Sequence, residues 1–289
     1  MLKNPTLFRR GSVKSPLSSS LHSKTVKKLA IDQENTITKS ITISHRNRTI
    51  IYLSVLLLGD IMKISVQQFL EQLNKVIKKH HLLEHPFYQM WNEGKLSLTM
   101  LQEYAQEYYL QVHNFPTYVS ATHAACNDLK IRQMLLENLL EEEQGDANHP
   151  ELWLRFAEGL GVARQAVLER QHLETTQESV KILKDLARSE DAVQGLAALY
   201  AYESQIPEVS TTKIAGLKNF YSIEAEATLE FFQVHEKADE FHSQATGEAL
   251  LTLCETKQQQ QQALVAAEQA AIALNLLLDG VYTTYCQAA

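Results

Sequence analysis

Glycine and proline are scarce, ten and six in 289 residues. So little punctuation leaves few places to end short strands and turn the chain, and it favours long helices. Cysteine is nearly absent. Cys126, Cys254 and Cys286 are odd in number, far apart and without paired short spacing, which excludes a disulfide framework and a thiolate zinc site. The simplest reading is a chain kept in a reducing cytoplasm. Also missing is a run of the roughly 20 apolar residues needed to span a bilayer; the nearest approach is Ile50 to Leu58. Arg46 and Arg48 precede that run like the leader of a signal peptide, yet the basic stretch is unusually long and no small-residue cleavage site follows Gly59-Asp60. No membrane partner is expected.

Basic charge is missing from most of the chain. Residues 1–61 hold ten of the 27 Lys and Arg but only three of the 34 Asp and Glu, so the rest is strongly acidic. An acidic body argues against a surface that tracks phosphates, and nucleic acid is not expected as a partner. Residues 1–61 read either as a basic extension without a fold of its own or as an artefact of an upstream start site, because Met62 opens the patterned region. Residues 62–289 form the expected domain.

What is present from Ser65 onward is helical periodicity. Ser65 with Gln68 makes a capping-box signal, and Phe69, Leu70, Leu73, Val76 and Ile77 form an apolar stripe. A short helical segment with Pro86 near its start follows and stops at Asn92-Glu93-Gly94. Thr99 with Gln102 predicts the start of a long helix to about Cys126, kinked at Pro116. Further helices are expected at about 128–144, 149–160, 177–189, 192–206, 208–221, 223–253 and 256–286, and no segment alternates as a strand. The Gln258 to Gln262 run reads as a solvated helix face. The small and apolar residues from Ala263 to Leu278 could pack within a bundle or form a homodimer seam.

Six residues could hold metal. His235, Asp239 and His242 are spaced by four and seven, which sets two imidazoles and a carboxylate along one stripe of a helix. Glu142 and His149 share a face if one helix carries both, although Asn148-His149-Pro150 could equally end that helix, and Glu141 to Glu143 could be a solvated acidic face. Glu203 follows the apolar stretch Leu196 to Tyr202, where a carboxylate needs compensation from a metal or from a Lys or Arg of another helix. Three carboxylates and three imidazoles suit two divalent ions of the iron or manganese kind, held in the core of a helical bundle. Ligand charge of −3 against +4 leaves a positive centre, which points to redox chemistry with dioxygen.

Several stretches carry a resemblance: Glu84-His85-Pro86-Phe87-Tyr88, Asn138 to Gly145 with Asn148-His149, Tyr202 to Pro207, and His235 to Asp239 with His242. From Met62 on, the sequence resembles the chlamydial death-domain-associated protein and its bacterial relatives. That group belongs with the haem-oxygenase-like di-metal oxidases and is similar in fold to thiaminase II and the pyrroloquinoline-quinone synthases. The resemblance implies an all-α, haem-oxygenase-like bundle of about seven or more helices around a central di-metal site, Fe/Fe or Fe/Mn, with Glu142, His149, Glu203, His235, Asp239 and His242 as ligands. It also implies para-aminobenzoate formation for folate synthesis from the protein's own side chains, with dioxygen as co-substrate and an external electron donor. The sacrificed tyrosine falls on Tyr88 and the amino-donor lysine on Lys213. Tyr202, beside Glu203, is a candidate for radical transfer or a hydrogen bond. Phe231 and Phe232 stand where some relatives have a tyrosine, which leaves a second relay tyrosine in doubt. Two other readings remain: a multiple-turnover di-metal oxidase or oxygenase of a free amino acid or fatty acid, and a protein that binds a death domain.

Overall fold

In the computed structural model, which describes residues 65–287, helices follow one another with no strand among the described residues. They are α1 (Val66–Lys78), α2 (Pro86–Asn92), α3 (Leu98–Ala125), α4 (Leu129–Glu143), α5 (His149–Gly159), α6 (Arg164–Leu168), α7 (Glu174–Ala187), α8 (Ala192–Glu203), α9 (Ile206–Tyr221), α10 (Glu226–Leu253) and α11 (Lys257–Val281), which ends in a π turn, Tyr282–Cys286. The reading of residues 1–61, and with it the apolar run Ile50 to Leu58, lies outside the described residues.

Local chemistry sets most of these boundaries. Ser65 Oγ accepts the Gln68 N–H while the Gln68 side chain accepts the Ser65 N–H, closing the expected capping box on α1. The long helix α3 is capped two residues earlier than Thr99 predicts: Ser97 Oγ accepts the Met100 N–H, and Thr99 falls inside the first turn. Pro116 does not break it, and α3 runs on to Ala125. Asp128 caps α4 with bonds from Lys130 and Ile131 N–H. The short α6 was not expected, since five residues are too few to show a period. The helix expected over 223–253 begins at Glu226, because Ser222 takes a left-handed conformation (φ 53°) that ends α9.

Around α11 the bundle closes. Ala263, Ala266, Ala267, Ala270, Ala273, Leu274, Leu277 and Leu278 are all buried, and their small side chains let α11 pack closely against α1, α7 and α8. The alanine-rich stripe therefore packs within the bundle. By length and composition the span Lys257–Cys286 could also cross a bilayer, yet here it is a core helix. Of the glutamine run, Gln260 is buried.

A second set of contacts, α3 with α4, α5, α7 and α8, and α10 with α5, α8 and α9, encloses the interior in which the candidate residues lie. Behind it Glu107 of α3, fully buried, fastens the chain between α6 and α7. It accepts bonds from Arg170 Nε (3.0 Å), Thr176 Oγ1 (2.8 Å) and the Leu173 N–H (3.2 Å). Burial alone would raise this carboxyl, but bonds from His172, Thr176, Leu173 and Arg170 outweigh it and hold Glu107 below the usual range.

Candidate metal centre and the tyrosine–lysine cluster

All six candidate ligands are buried, from 1% exposed at Glu203 to 6% at His235. Four elements supply them. Glu142 stands near the end of α4, His149 opens α5, Glu203 ends α8, and His235, Asp239 and His242 lie along the inward stripe of α10. Glu142 and His149 do not share a helix. The chain turns between them through Gly145 (φ 83°), and the Asn148 side chain caps α5 by accepting the Glu151 N–H. Glu141 and Glu143 face solvent while Glu142 turns inward, so the acidic run is solvated on either side of one buried carboxylate.

Glu142, His149 and His235 bring one donor atom each to within 4.8 Å of one another. His149 Nδ1 lies 2.8 Å from Glu142 Oε2 without hydrogen-bond geometry, and it has no hydrogen-bond partner among the described residues. Two donors in line for a shared cation, at bond lengths of about 2.0–2.2 Å, sit at roughly this separation. His235 Nδ1 donates to the Phe231 carbonyl (2.6 Å), which leaves Nε2 as the free lone pair. His242 Nε2 bonds Glu141 Oε2 (2.9 Å), which turns its Nδ1 toward the interior as the available nitrogen. Glu141 is thus an orienting group that spacing alone did not single out.

The remaining carboxylates are less converged. Glu203 accepts bonds from Asn138 Nδ2 (2.7 Å) and Thr246 Oγ1 (3.3 Å), and Asp239 Oδ2 is buried without a partner. Among the described residues no Lys or Arg pairs with Glu142, Glu203 or Asp239, so the lysine or arginine partner considered for Glu203 is not there. Burial, and the neighbouring Glu142, push Glu203 up to about 8. Burial and then Glu203, Glu142 and Glu141 raise Asp239 as well, while burial and then His149 depress His235. Three uncompensated carboxylates with histidines held as lone-pair donors form a set that divalent cations would satisfy, because the cations would replace the missing countercharge.

Beside this set lies a sealed aromatic chamber. Lys213 of α9 is 3% exposed, and its Nζ donates to Tyr104 Oη (2.8 Å). Tyr104 Oη in turn lies 2.9 Å from Tyr88 Oη. The rings of Tyr88, Tyr104, Tyr108, Trp153 and Phe232 surround Nζ at 5.1–5.8 Å. Such rings favour an ammonium, but no carboxylate is paired with it and desolvation wins, lowering Lys213 to about 7. Burial also raises Tyr88, Tyr104 and Tyr202, so these phenols stay protonated.

Tyrosines bridge the two regions. The Tyr104 and Tyr108 rings are 5.2 Å apart, Tyr108 Oη meets Tyr202 Oη at 3.0 Å, and Tyr202 lines a cavity with Glu142, His235 and Asp239. No motif in the sequence marks Tyr104 or Tyr108; their i, i+4 spacing on α3 is the one local signal that sets them side by side. Phe231 and Phe232 pack on Trp153.

A helical bundle with carboxylates and imidazoles gathered inside it is the build in which metal centres of bundle proteins are held. The family of iron-containing redox enzymes matches residues 102–275. The chain is 39% identical over 232 residues to the 4-aminobenzoate synthase of Nitrosomonas europaea, covering 77% of this chain and 94% of that protein. To the 4-aminobenzoate synthase of Chlamydia pneumoniae it is 43% identical over 185 residues, 64% of this chain and 82% of the other. A CADD-like protein of unknown function from Nostoc punctiforme, 17% identical, superposes with a TM-score of 0.62 over 75% of this chain and 98% of its own. The chain belongs to the 4-aminobenzoate synthase family of haem-oxygenase-like, iron-containing redox enzymes.

Proposed function

We propose that this chain forms 4-aminobenzoate in an oxygen-dependent reaction that consumes its own Tyr88 and takes nitrogen from Lys213. The observation that carries this reading is the hydrogen-bonded row Lys213 Nζ, Tyr104 Oη, Tyr88 Oη, at 2.8 and 2.9 Å, closed off from solvent by aromatic rings. An amine attacks an oxidised ring only through its lone pair. With Lys213 lowered to about 7 by burial, a substantial share of it is the free amine at neutral pH.

Glu142, His149, Glu203, His235, Asp239 and His242 would hold two divalent ions, Fe/Fe or Fe/Mn, which when bound supply the activation of dioxygen with electrons from an external reductant. The protein's own part is to route charge. As its ring is oxidised, Tyr88 can give its phenolic proton to Tyr104 while Tyr104 gives its own to the free amine of Lys213, the base at the end of the row. Tyr104, Tyr108 and Tyr202 then give a continuous path of rings and hydroxyls toward Glu142 and Asp239. Tyr202 acts in this path as the last phenol before the ligands, and Tyr108 supplies the second relay that Phe231 and Phe232 cannot. Trp153 and Phe232 keep water off the amine and the ring, which protects an oxidised tyrosine from hydrolysis.

The pocket that faces Glu142, His235 and Asp239 has a volume of only about 10 Å3, far less than ligand sites usually offer and too small for a fatty acid. A larger groove of about 570 Å3, between Asn74, Lys78, His81 and Glu208, includes none of the candidate ligands, nor Tyr88, Tyr202 or Lys213. A substrate already built into the chain fits this enclosure better than a diffusing one.

The test is mass spectrometry of the protein loaded anaerobically with iron and manganese, before and after exposure to dioxygen and a reductant. Mass loss localised to Tyr88 with release of 4-aminobenzoate is expected, and Tyr88→Phe should bind metal normally yet release none. Oxygen consumption with Tyr88 intact would instead indicate an external substrate.

A further inference from the structure

Tyr88 rides on α2, a helix of seven residues. A helix of about two turns does not hold itself in water, so the position of the ring depends on what grips the ends of α2. The far end is gripped by Trp91, whose Nε1 donates to the Lys213 carbonyl (3.4 Å). The near end is gripped by His85, which belongs neither to the candidate ligands nor to the row of hydroxyls.

His85 is buried, and both of its ring nitrogens are engaged. Nδ1 accepts the Phe87 N–H (3.1 Å), an amide that the first turn of a helix leaves without a partner of its own. An amide only donates, so Nδ1 carries the lone pair and Nε2 the proton, and Nε2 donates to Asp279 Oδ1 of α11 (3.1 Å). Only the neutral ring can do both. Burial holds His85 below its ordinary value against the opposing pull of Asp279, which favours that neutral form. Upstream, the 3₁₀ turn Leu82–Glu84 is tied by the Leu82 N–H to Gln205 Oε1 (2.9 Å), at the start of α9 and two residues beyond Glu203. The chain that enters α2 is thus fastened to α9 and to α11 at once.

We propose that His85, anchored by Asp279, is the positioning residue of Tyr88: it sets where α2 begins, and with that the reach of the Tyr88 hydroxyl to Tyr104. Tyr88 follows His85 by three residues, less than one turn of helix, so a slip at the cap is carried straight to the ring. A misplacement of about 1 Å can cost roughly a hundredfold where reacting groups must be aligned. The inference rests on the reading of Tyr88 as the consumed ring. It adds to that reading a residue that touches no reacting atom and yet decides whether oxidation falls on Tyr88.

The test separates position from stability. The Asp279 side chain is 63% exposed, so Asp279→Ala should fold normally. In the metal-loaded protein mixed with dioxygen and a reductant, this variant should keep its metal content and dioxygen uptake while the 4-aminobenzoate released per dioxygen consumed falls several-fold. His85→Ala loses both bonds and should lower that ratio further. Asp279→Asn keeps an oxygen to accept the Nε2 proton and should restore it. Hydrogen exchange of the metal-free proteins gives a readout independent of turnover: the Phe87 amide should exchange faster in Asp279→Ala and His85→Ala and at the wild-type rate in Asp279→Asn. A ratio equal to that of the wild type in a normally melting Asp279→Ala protein whose Phe87 amide exchanges faster would overturn the proposal and leave the functional reading standing. So would Phe87 exchange unchanged in both alanine variants. A wild-type protein that consumes dioxygen with Tyr88 intact would overturn both.

Discussion

Lys213 is the residue whose surroundings depart most from its ordinary preference. A lysine amine normally binds its proton near 10.5, and burial among five rings lowers it to about 7. Between those values the unfolded chain holds a proton that the folded chain does not, so stability falls as pH drops from about 10.5 to about 7 and levels off below. Each unit corresponds to about 1.4 kcal/mol, which makes the penalty on the order of 4 kcal/mol at neutral pH, offset by roughly 1 kcal/mol for the bond to Tyr104. Lys213→Met is therefore expected to be more stable than the wild type at pH 7 by a few kcal/mol. That advantage should shrink toward pH 10, as measured by urea unfolding at the two pH values, and the variant should release no 4-aminobenzoate. A free amine held at such a cost is what the proposed use of its lone pair requires.

At the scale of elements, the amine is held where α2 and α9 touch. Gly216, three residues beyond Lys213, faces Trp91, and a Cβ built there would lie 2.5 Å from the indole. Trp91 is fully buried and its Nε1 donates to the Lys213 carbonyl (3.4 Å), so the indole has no room to retreat without moving the backbone of Lys213. Gly216→Ala is expected to cost about 1–3 kcal/mol by overpacking. It should also slow 4-aminobenzoate release more than it lowers metal content, a split that thermal melting, metal analysis and product assay would resolve. The same crowding occurs at Gly195 against Thr122 and at Gly280 against Thr175, which marks the glycines as contact points between helices.

For the whole molecule, the decisive quantity is charge in the interior. Glu142, Glu203 and Asp239 come together from α4, α8 and α10 with no basic partner among the described residues, so the metal-free protein keeps them at the expense of stability. Metal that binds only the folded chain should recover that loss by mass action, about 2.7 kcal/mol at a hundredfold excess over the dissociation constant. For a domain of this size the gain corresponds to roughly 5–10 °C in melting temperature. Calorimetry with and without iron or manganese, and after a chelator, checks it; melting unchanged by metal would count against these residues as ligands.

The sequence by itself determined what depends on near neighbours. Caps such as Ser65, the four- and seven-residue spacing of His235, Asp239 and His242, and the scarcity of glycine and proline specify helices and place polar groups on particular faces, because helical contacts are made within four residues along the chain. Its failures were local too: Ser97 competes with Thr99 for one cap, and α6 is too short to show a period. Only the tertiary structure decided which faces meet. The bond from Lys213 to Tyr104 joins residues 109 apart, and that from Asn138 to Glu203 joins residues 65 apart. Glu142 and His149 come together through a turn and a second helix, one of the two arrangements that their spacing and Asn148-His149-Pro150 left open. Side chains so distant in sequence have no local interaction to announce their pairing. It is fixed by how α3, α4, α5, α8, α9 and α10 pack as they bury their apolar faces, and that packing encloses the amine, the phenols and the carboxylates together.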